Sequence, residues 1–566
     1  MTKYAFVIDQ RKCIGCHACT VACKAEHDVP IGVYRTWVKY IEKGEFPNAR
    51  RYFLVNRCNH CDDAPCVAIC PTKALYKRKD GIVDFDSSRC IGCKSCMQAC
   101  PYDALYIDPY SHTAAKCNYC AHRTEVGLEP ACVIVCPEHA IIAGDIHNQE
   151  SEIAKLLARE PVRTRKPEQG TGPNVYYVGA EEAAINPEVA VEELPHMTMW
   201  STLLKPGHED ESAIDRSKSL RKDSNVSLVS SESAIDTNNS PGLPQTINPL
   251  KPYQPSEPMR RDRAEAHIVY DTPKNSAPWG WKVSAYLVTK SIGTGVMIVA
   301  ALALALYGLH GSISGTMNAL LGIGAPVLGG FFIALTLALL IADLKRPDRA
   351  LYLILKSNPT SWLVWGAYIL GIFGLIEAAW FIAGLFGFSD VIRWLLIPAA
   401  LFGAAGAGYT AFLFGPAEGR DFWQSPLLLP MLLVQAVIGG TAALGLLSWA
   451  LGVGSTLTQM LDLVLLSAIV VHVLLVMVEV FGSHANKHIA LAARYMSKGG
   501  LKEIFWGQFF VVGSMVPLVM LVIALFVPAV HPAQPVLLGI AGLFALAGLF
   551  AYEHCFVTAG QIVPLS

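Results

Sequence analysis

Sixteen of the 17 cysteines lie between Cys13 and Cys136 and fall into four groups of four. The first group has the spacing C-x2-C-x2-C-x3-C, and a proline follows the fourth cysteine of each other group. Thiols at this density are cross-linked or metal-bound in folded proteins. The groups are Cys13, Cys16, Cys19 and Cys23; Cys58, Cys61, Cys66 and Cys70; Cys90, Cys93, Cys96 and Cys100; and Cys117, Cys120, Cys132 and Cys136.

Three kinds of cysteine site compete for these groups. Disulfides are disfavoured because the first residues show no export signal, so that a reducing compartment is expected. Zinc takes two C-x2-C pairs per ion and needs neither a third cysteine at this spacing nor a C-x3-C-P ending. In [4Fe-4S] sites, three thiolates of a run bind one cluster and the fourth, at the start of the next helix, reaches a partner cluster. Four groups therefore predict four [4Fe-4S] clusters.

The second half of the chain is far less charged than the first. Residues 283–566 contain 21 of the 91 charged side chains, which is about 7% of that half against about 25% of residues 1–282. Long apolar runs fill this half, and each is long enough to cross roughly 30 Å of hydrocarbon as a helix. Eight membrane spans are predicted, near 287–309, 321–342, 362–387, 391–415, 427–451, 457–481, 508–528 and 535–556.

Basic residues are distributed unevenly over the loops between these spans. An even number of spans places both ends of this half on one side, and nine basic loop residues share that side against Arg393 on the other. The bias predicts a multi-pass protein of the inner (cytoplasmic) membrane whose cysteine-rich domain faces the cytoplasm. The same residues would also suit a docking surface. They are Lys345, Arg346, Arg349, Lys356, Arg420, Lys487, Arg494, Lys498 and Lys502.

Three stretches of the cysteine-rich half carry a family resemblance. Residues 58–66 (CNHCDDAPC), the loop 90–93 (CIGC) and residues 116–120 (KCNYC) resemble the four-cluster electron-transfer subunits of molybdopterin oxidoreductases, such as polysulfide, dimethyl sulfoxide and nitrate reductases. The resemblance covers nearly all of residues 1–180. It implies that this half relays electrons between a separate molybdopterin-containing catalytic subunit and a membrane anchor, without transforming the substrate itself.

The same resemblance implies which cysteines share a cluster. It pairs the first group with the fourth and the second with the third, and each pair forms one ferredoxin module. Because no ligand position is substituted, no three-iron cluster is expected. The implied ligand sets are Cys13, Cys16, Cys19 and Cys136; Cys117, Cys120, Cys132 and Cys23; Cys58, Cys61, Cys66 and Cys100; and Cys90, Cys93, Cys96 and Cys70.

Four short motifs of the apolar half carry a second resemblance. Residues 278–281 (PWGW), 343–349 (DLKRPDR), 358–362 (NPTSW) and 559–561 (AGQ) resemble the NrfD/polysulfide-reductase anchor family, over about 270–566. Members of that family exchange electrons with a quinone pool, so menaquinone or ubiquinone is the expected cofactor and no haem is expected. The spans agree: b haems need histidines on facing helices, and His472 alone lies well inside a span, where we expect a packed or hydrogen-bonded residue.

The predicted fold is an α+β bis-ferredoxin-like iron-sulfur domain followed by an all-α bundle of eight transmembrane helices. We expect a four-cluster domain at 1–180, a largely disordered linker at 181–278 and an NrfD-like membrane domain at 279–566. The polar stretch 210–262 cannot bury enough surface to fold alone and would be a tether that raises the effective concentration of the two halves. Residues 173–178 are more apolar and are expected to return to the first domain as a strand.

Ionisable residues inside spans are costly and are therefore candidates for function. Quinone chemistry needs proton donors in an apolar cleft near a cluster. Two other acids, Glu377 and Asp462, lie elsewhere and would suit a proton path or a pairing with a neighbour. Three of the candidates would equally suit a salt-bridged loop that clamps the iron-sulfur domain (Asp343, Arg346 and Arg349), and one an interfacial aromatic (Tyr409). The candidate quinone residues are Lys290, Asp343, Arg346, Arg349, Tyr409 and Glu479.

These features predict an electron-transfer subunit fused to its quinone-reactive membrane anchor. The chain would carry out quinone chemistry, while a molybdopterin-containing partner would act on the substrate, expected to be an inorganic sulfur compound such as sulfite, polysulfide or thiosulfate. Membrane lipid is a partner, and a net charge of −1 excludes a nucleic-acid binder. The alternatives are a redox-driven ion-translocating respiratory module and a ferredoxin:quinone reductase without a molybdenum partner. Cys555 is expected to be an inert packed thiol.

Overall fold

The computed structural model describes most of the chain in two halves, one cysteine-rich and α+β, the other helical. This division confirms the predicted fold class. The centre of the predicted tether, 210–262, lies outside the described residues. The residues described are 2–44, 47–187, 189–192, 266–272, 277–307, 315–452 and 455–565.

Short strands build the framework of the first half. Several of them are buried along most of their length, as expected for strands that build a small core. The strands are β1 (Tyr4–Asp9), β2 (Thr36–Lys43), β3 (Arg50–Arg57), β4 (Leu75–Lys77), β5 (Val83–Phe85), β6 (Leu105–Ile107), β7 (Ala114–Lys116), β8 (Ile141–Asp145), β9 (Val162–Arg163), β10 (Val175–Val178), β11 (Ala190–Glu192) and β12 (Ala266–Tyr270).

Among the described residues the strands form two four-stranded sheets and two hairpins. The first sheet has the order β8-β1-β10-β9, and β10 runs parallel to β1 with Phe6 opposite Val175. This pairing confirms the strand predicted within 173–178. The second sheet has the order β11-β12-β2-β3, and β4-β5 and β6-β7 are the hairpins. The β4-β5 hairpin follows the second cysteine group and the β6-β7 hairpin follows the third, so both belong to the groups that are expected to share a module.

Two strands of the second sheet come from the range 181–278, for which a linker is predicted. β12 pairs antiparallel with β2, with His267 opposite Glu42, and β11 pairs parallel with β12. The iron-sulfur domain therefore takes up residues beyond 180. These strands are too short to show a periodic pattern, so the sequence gives little sign of them.

The first C-x2-C loop of each cysteine group has a left-handed residue at the same position. The residue before the second cysteine is left-handed in each loop, with φ of 71° at Gly15, 45° at His60, 68° at Gly92 and 62° at Tyr119. Glycine adopts this conformation without cost, whereas a residue with a Cβ pays about 1–2 kcal/mol. Hydrogen bonds hold the two non-glycine residues in place, because His60 Nδ1 accepts from the Val83 amide at 3.1 Å and the Tyr119 hydroxyl donates to Ala5 O at 2.8 Å.

Contrary to the expectation, the short helices of this half do not begin at the fourth cysteine of each group. In the three groups that end in Cys-Pro, the fourth cysteine follows a short helix and does not start one, because proline cannot continue the helix. Only the first group lacks that proline, and there the helix continues through Cys23. The helices are α1 (Ala18–Glu26), α2 (Pro65–Ala68), α3 (Ser95–Ala99), α4 (Ala121–Thr124), α5 (Ala131–Ile134), α6 (Glu152–Arg159) and α7 (Glu182–Ile185).

The second half is helical throughout its described residues. Eight of its helices are long and apolar enough to cross a membrane, which confirms the eight predicted spans. The first helix begins at Trp281 and the last ends at Gly560, several residues outside the predicted limits. The helices are α8 (Trp281–Tyr307), α9 (Gly315–Asp343), α10 (Tyr352–Leu355), α11 (Trp362–Phe386), α12 (Ser389–Phe414), α13 (Leu428–Leu451), α14 (Ser455–Phe481), α15 (Lys487–Lys498), α16 (Ile504–Phe526) and α17 (Gln534–Gly560).

Helices α8 and α13 form the centre of the bundle. They are 83% and 72% buried over their apolar windows, against 28–50% for the other spans. The two helices cross closely at Gly295 and Gly440, where an added Cβ would overlap the backbone of the facing helix. Small residues permit such close crossings in lipid. A polar residue on α8 or α13 is therefore enclosed by protein and not by lipid.

Candidate cluster sites and membrane pocket

Two cavities in the first half are each lined by four cysteines. The first, named here the outer cage, is lined by Cys13, Cys16, Cys19 and Cys136. The second, named the membrane-side cage, is lined by Cys70, Cys90, Cys93 and Cys96. Each cage combines three cysteines of one group with the fourth of another. The structure thus brings together two of the sets that the family resemblance implies.

The remaining eight cysteines are also grouped. Cys23 lies next to Cys117, Cys120 and Cys132, and Cys66 lies next to Cys58, Cys61 and Cys100. Burial, with the neighbouring thiols as a smaller cause, raises the pKa of Cys23 and Cys66. Because buried thiolates of like charge repel one another, they need a bound cation. An iron-sulfur cluster would supply that charge.

The cages differ from a site for a single metal ion. Four sulfurs at about 2.3 Å from one zinc ion would lie close together. Within the described ranges, no group of three or more His, Cys, Asp or Glu side chains is arranged to hold a metal ion. The four-thiol cavities fit a larger polynuclear group, as the cysteine spacing predicts.

Several N–H groups point at the cysteine sulfurs. The Ala140 amide donates to Cys136 Sγ at 3.2 Å, and the Ala114 amide donates to Cys90 Sγ at 3.3 Å. His27 Nε2 also lies within hydrogen-bond distance of a sulfur, 3.2 Å from Cys120 Sγ. Such hydrogen bonds stabilise thiolates and set the potential of a bound cluster.

The membrane-side cage is fastened to the second half through the backbone of its own cysteines. Arg349 Nη1 donates to Cys90 O at 3.0 Å, Trp279 Nε1 to Cys93 O at 3.3 Å, and Asn358 Nδ2 to Cys70 O at 2.8 Å. Three of its four cysteines are thus held by side chains of the second half. The PWGW, DLKRPDR and NPTSW motifs each contribute one of these donors.

Two further quinone candidates lie in the same interface. Asp343 pairs with Lys94 at 2.8 Å, and the Arg346 amide donates to Ile91 O at 3.2 Å. The Arg346 guanidinium donates to Ser111 O at 3.3 Å. With Arg349, these residues contact the iron-sulfur domain, which is the clamping role that the sequence left open for them.

A buried arginine completes the interface. Arg420 Nε donates to Gln98 Oε1 at 2.9 Å, and its Nη1 donates to Gln561 O and Val563 O at 3.0 and 3.1 Å. Burial lowers the pKa of Arg420 to about 10, so the side chain stays charged near pH 7. Gln98 Nε2 also donates to Gln561 Oε1 at 2.7 Å. The sequence left Arg420 open as a topology marker or part of a docking surface, and its hydrogen bond to Gln98 is a docking contact.

Gly92 allows the closest approach of the two halves, and its substitution gives a test of the interface. An added Cβ would lie 2.6 Å from Lys345 Cβ and 2.9 Å from His112 O. We expect Gly92→Ala to push the halves apart, so that amide hydrogens of residues 343–349 exchange faster, measured by mass spectrometry. Gly127→Ala is the control, because Gly127 is also left-handed but has no neighbour within 4 Å. Equal exchange at 343–349 in the two variants would contradict this role.

Below the interface, Lys290 is buried in the second half. It lies nine residues into α8, or about 14 Å below the start of that helix. The ammonium donates to Ala407 O at 2.8 Å and to Thr410 Oγ1, and it lies 4.9 Å from the centroid of the Tyr409 ring. The structure therefore joins two sequence candidates, Lys290 and Tyr409, in one pocket.

Glu553 belongs to this pocket and was missed by the sequence analysis. It is 2% exposed and faces Lys290 and Gln435. Gln435 Nε2 lies 3.2 Å from His472 Nε2, so His472 is hydrogen-bonded as expected. Glu553 is an ionisable residue inside the last predicted span, and the rule that selected Lys290 would also have selected it.

The last quinone candidate, Glu479, lies near the end of α14 that faces the first half. Its Oε2 accepts a hydrogen bond from Ser425 Oγ at 2.5 Å. Tyr552 lies within electrostatic reach of both Glu479 and Glu553. A series of polar groups thus leads from the loop before α13 to the Lys290 pocket.

Comparisons with known proteins agree with both halves. Two models described as 4Fe-4S dicluster domains match residues 12–75 and 49–146, and a model described as polysulphide reductase, NrfD, matches residues 271–564.

The first half is similar to several components of sulfur-compound reductases. It is 46% identical over 189 residues to a tetrathionate reductase subunit of Salmonella typhimurium, covering 33% of this chain and 76% of that protein. It is 42% identical over 188 residues to a polysulfide reductase chain of Wolinella succinogenes, covering 32% and 97%. It is 45% identical over 163 residues to the thiosulfate reductase electron transfer subunit of Salmonella typhi, covering 28% and 84%. The chain therefore belongs to the NrfD polysulphide reductase family and carries 4Fe-4S dicluster domains ahead of its multi-pass membrane domain.

Proposed function

We propose that this chain relays electrons between a membrane quinone, menaquinone or ubiquinone, and a separate molybdopterin-containing catalytic subunit. Four [4Fe-4S] clusters, bound by the four cysteine sets, would carry the electrons. Quinone chemistry would take place on this chain, and substrate chemistry on the partner. The iron-sulfur domains, the membrane spans and the names of the relatives support this division.

One observation carries the proposal. The membrane-side cage is bound to the second half through the carbonyl groups of Cys70, Cys90 and Cys93. Hydrogen bonds from side chains to this backbone fix the cage against the bundle, on the side from which α8 leads down to the Lys290 pocket. A cluster in this cage would lie at the interface from which α8 runs about 14 Å to Lys290. That placement favours electron exchange with a lipid-soluble carrier.

The Lys290 pocket has the groups that quinone chemistry requires. Interconversion of quinone and quinol moves two electrons and two protons. The Lys290 ammonium would donate a hydrogen bond to one ring oxygen, and Glu553 would hold or release a proton beside it. The Glu479–Tyr552 side of the pocket would connect Glu553 to the loop at Ser425 for proton exchange with water. Lys290, Tyr409 and Glu479 therefore remain candidate quinone residues, and Glu553 joins them. Asp343, Arg346 and Arg349 are assigned to docking of the iron-sulfur domain.

The outer cage, whose lining residues all belong to the first half, suits the catalytic partner. Among the described cysteines only Cys16, in the outer cage, is exposed. Apolar side chains around it are also exposed: 54% of Ile14, 53% of Ile134 and 40% of Val135. Exposed apolar residues next to a redox site favour a protein partner that covers them. Electrons would therefore pass between this face and the membrane-side cage.

The substrate of the catalytic partner and the side of the membrane on which the iron-sulfur domain lies are proposed from different features. An inorganic sulfur compound is proposed because three relatives are named as components of tetrathionate, polysulfide and thiosulfate reductases. The cytoplasmic position of the iron-sulfur domain in the inner membrane is proposed from the basic loops alone.

A second candidate function, ion translocation, is favoured by two buried acids outside the pocket. Glu377 is 4% exposed and its Oε1 has no hydrogen-bond partner in the described part of the chain. Asp462 accepts a hydrogen bond from Gln534 at 2.5 Å, and its other oxygen is likewise unpaired among those residues. Proton uptake into liposomes beyond that of quinone chemistry, lost in Glu377→Gln, would favour this candidate.

The proposed function is tested by following the clusters during quinone addition. Protein in lipid nanodiscs is reduced anaerobically, and menaquinone and ubiquinone analogues are then added. We expect loss of the EPR signals of the reduced clusters together with formation of quinol, measured by chromatography. Nanodiscs without quinone are the control. Clusters that stay reduced with both analogues would contradict the proposal.

A further inference from the structure

A fully buried arginine lies between the two cysteine sets of the first ferredoxin module. Arg57 is the last residue of β3 and is only 1% exposed. Its Nη1 donates a hydrogen bond to Cys132 Sγ at 3.2 Å, and the guanidinium lies 4.4 Å from the centroid of the Phe6 ring. The strand and the aromatic ring therefore fix the plane of the charged group.

The other guanidinium nitrogens are not satisfied by protein groups. Nε and Nη2 are buried, and neither has an acceptor among the residues that the structure describes. Buried donors without an acceptor are rare and costly in folded proteins. Donors of this kind therefore point to an acceptor supplied by a bound group. The inorganic sulfides and thiolates of an iron-sulfur cluster are such acceptors.

The negative charges next to Arg57 come from both cysteine sets of the module. Cys19 lines the outer cage, while Cys117 and Cys132 belong to the set that includes Cys23; all three lie within electrostatic reach of the guanidinium. No carboxylate forms a salt bridge with Arg57 in the described ranges. The arginine is thus a cation placed between two thiolate groups.

We propose that Arg57 is a positioning residue shared by these two clusters, whose reduced forms it stabilises. The inference rests on the ligand sets of the proposed function. Each cluster with its four thiolates changes its net charge from −2 to −3 when it accepts one electron, and no bond or proton moves. A fixed positive charge and its N–H groups favour the more negative state. Arg57 therefore raises the reduction potential of both clusters.

Lys116, a second buried cation, differs from Arg57 in its contacts. Its ammonium donates to Cys117 O at 2.9 Å and to Val83 O. Lys116 is engaged with backbone carbonyls, whereas Arg57 keeps two N–H groups for another acceptor. The tuning role is therefore assigned to Arg57.

The test is a potentiometric titration of the full-length protein, with each cluster followed by EPR. We expect Arg57→Met to lower the midpoint potential of two of the four clusters. The expected change in the reduction equilibrium is about tenfold for each, or ~59 mV for one electron. Arg51→Met is the matched control, because Arg51 lies on the same strand but is exposed and paired with Glu42. Four unchanged potentials in Arg57→Met would overturn the inference.

In a second measurement the decisive result comes from the wild-type protein, so it does not depend on whether a variant folds. Wild-type protein labelled with ¹⁵N in the arginine guanidinium is reduced and studied by pulsed EPR. We expect a ¹⁵N coupling to a reduced cluster, and its loss in Arg57→Lys, which keeps the charge. The absence of any ¹⁵N coupling in the wild type would overturn the inference. Neither result depends on quinone, so failure here is distinct from failure of the nanodisc experiment.

Discussion

Replacing Lys290 with Met is expected to slow quinone-linked electron transfer by about 100-fold or more, the usual contribution of a positioned proton-transfer or charge-stabilising group. The side chain is enclosed at the centre of the bundle and faces Glu553. Methionine keeps the length of the side chain but removes the charge and the donor. The rate is measured in nanodiscs as quinone-dependent reoxidation of the reduced clusters. Glu553→Gln should cause a loss of similar size.

The clusters themselves should be unaffected in both variants, because Lys290 and Glu553 contact no cysteine of the first half among the described residues. Iron content and EPR spectra after chemical reduction should match the wild type. Lys282→Met is the control on the same helix, since Lys282 is only half-buried near the start of α8 and donates to Ala342 O at 2.9 Å. A Lys290→Met protein with a wild-type rate would exclude this pocket as the quinone site.

Replacing Cys93 with Ala is expected to abolish quinone-linked electron transfer while the other three clusters remain. Iron should fall from about 16 to about 12 atoms per chain, because one cube of four irons is lost. The hydrogen bond from Trp279 uses the backbone carbonyl of residue 93, so the two halves stay docked. The loss would therefore reflect the electron path and not the assembly. Iron analysis and EPR measure it.

Cys555→Ala is the matched control, since Cys555 is buried in α17 and lines neither cage. Its iron content and electron-transfer rate should equal those of the wild type. If Cys93→Ala kept all of its iron and its four EPR signals, the assignment of Cys93 as a ligand would be wrong.

The sequence predicted the parts of this protein that rest on local patterns. Cysteine spacing shows how a short loop wraps around a cluster, and the length of an apolar run shows a membrane span. Both could be predicted from neighbouring residues alone, with no knowledge of tertiary contacts. Left-handed His60 and Tyr119 were not foreseen. Their conformation depends on hydrogen bonds to Val83 and Ala5, which are distant along the chain.

The candidate site shows the same difference between local patterns, which can be predicted, and tertiary contacts, which cannot. Asp343, Arg346 and Arg349 are charged residues at or just after the end of a span, where docking and ligand binding require the same residue types. Only their contacts with the iron-sulfur domain distinguish the two roles. Trp279, Asn358 and Gln561 stood out as parts of motifs, but sequence does not show what each side chain contacts. Trp279 and Asn358 donate to carbonyls of the first half, and Gln561 accepts from the Gln98 side chain.

Because β11 pairs with β12, the interval 193–265 begins and ends in the first half and does not connect the two halves. Both ends of this interval are anchored in the same sheet, beside β2. The long polar interval therefore does not set the spacing between the two halves, which contacts such as Arg349 to Cys90 O and Asn358 to Cys70 O hold directly. Closing a longer loop costs only logarithmically more entropy. A change in the length of the interval 193–265 would thus leave the distance between the membrane-side cage and the membrane domain unchanged.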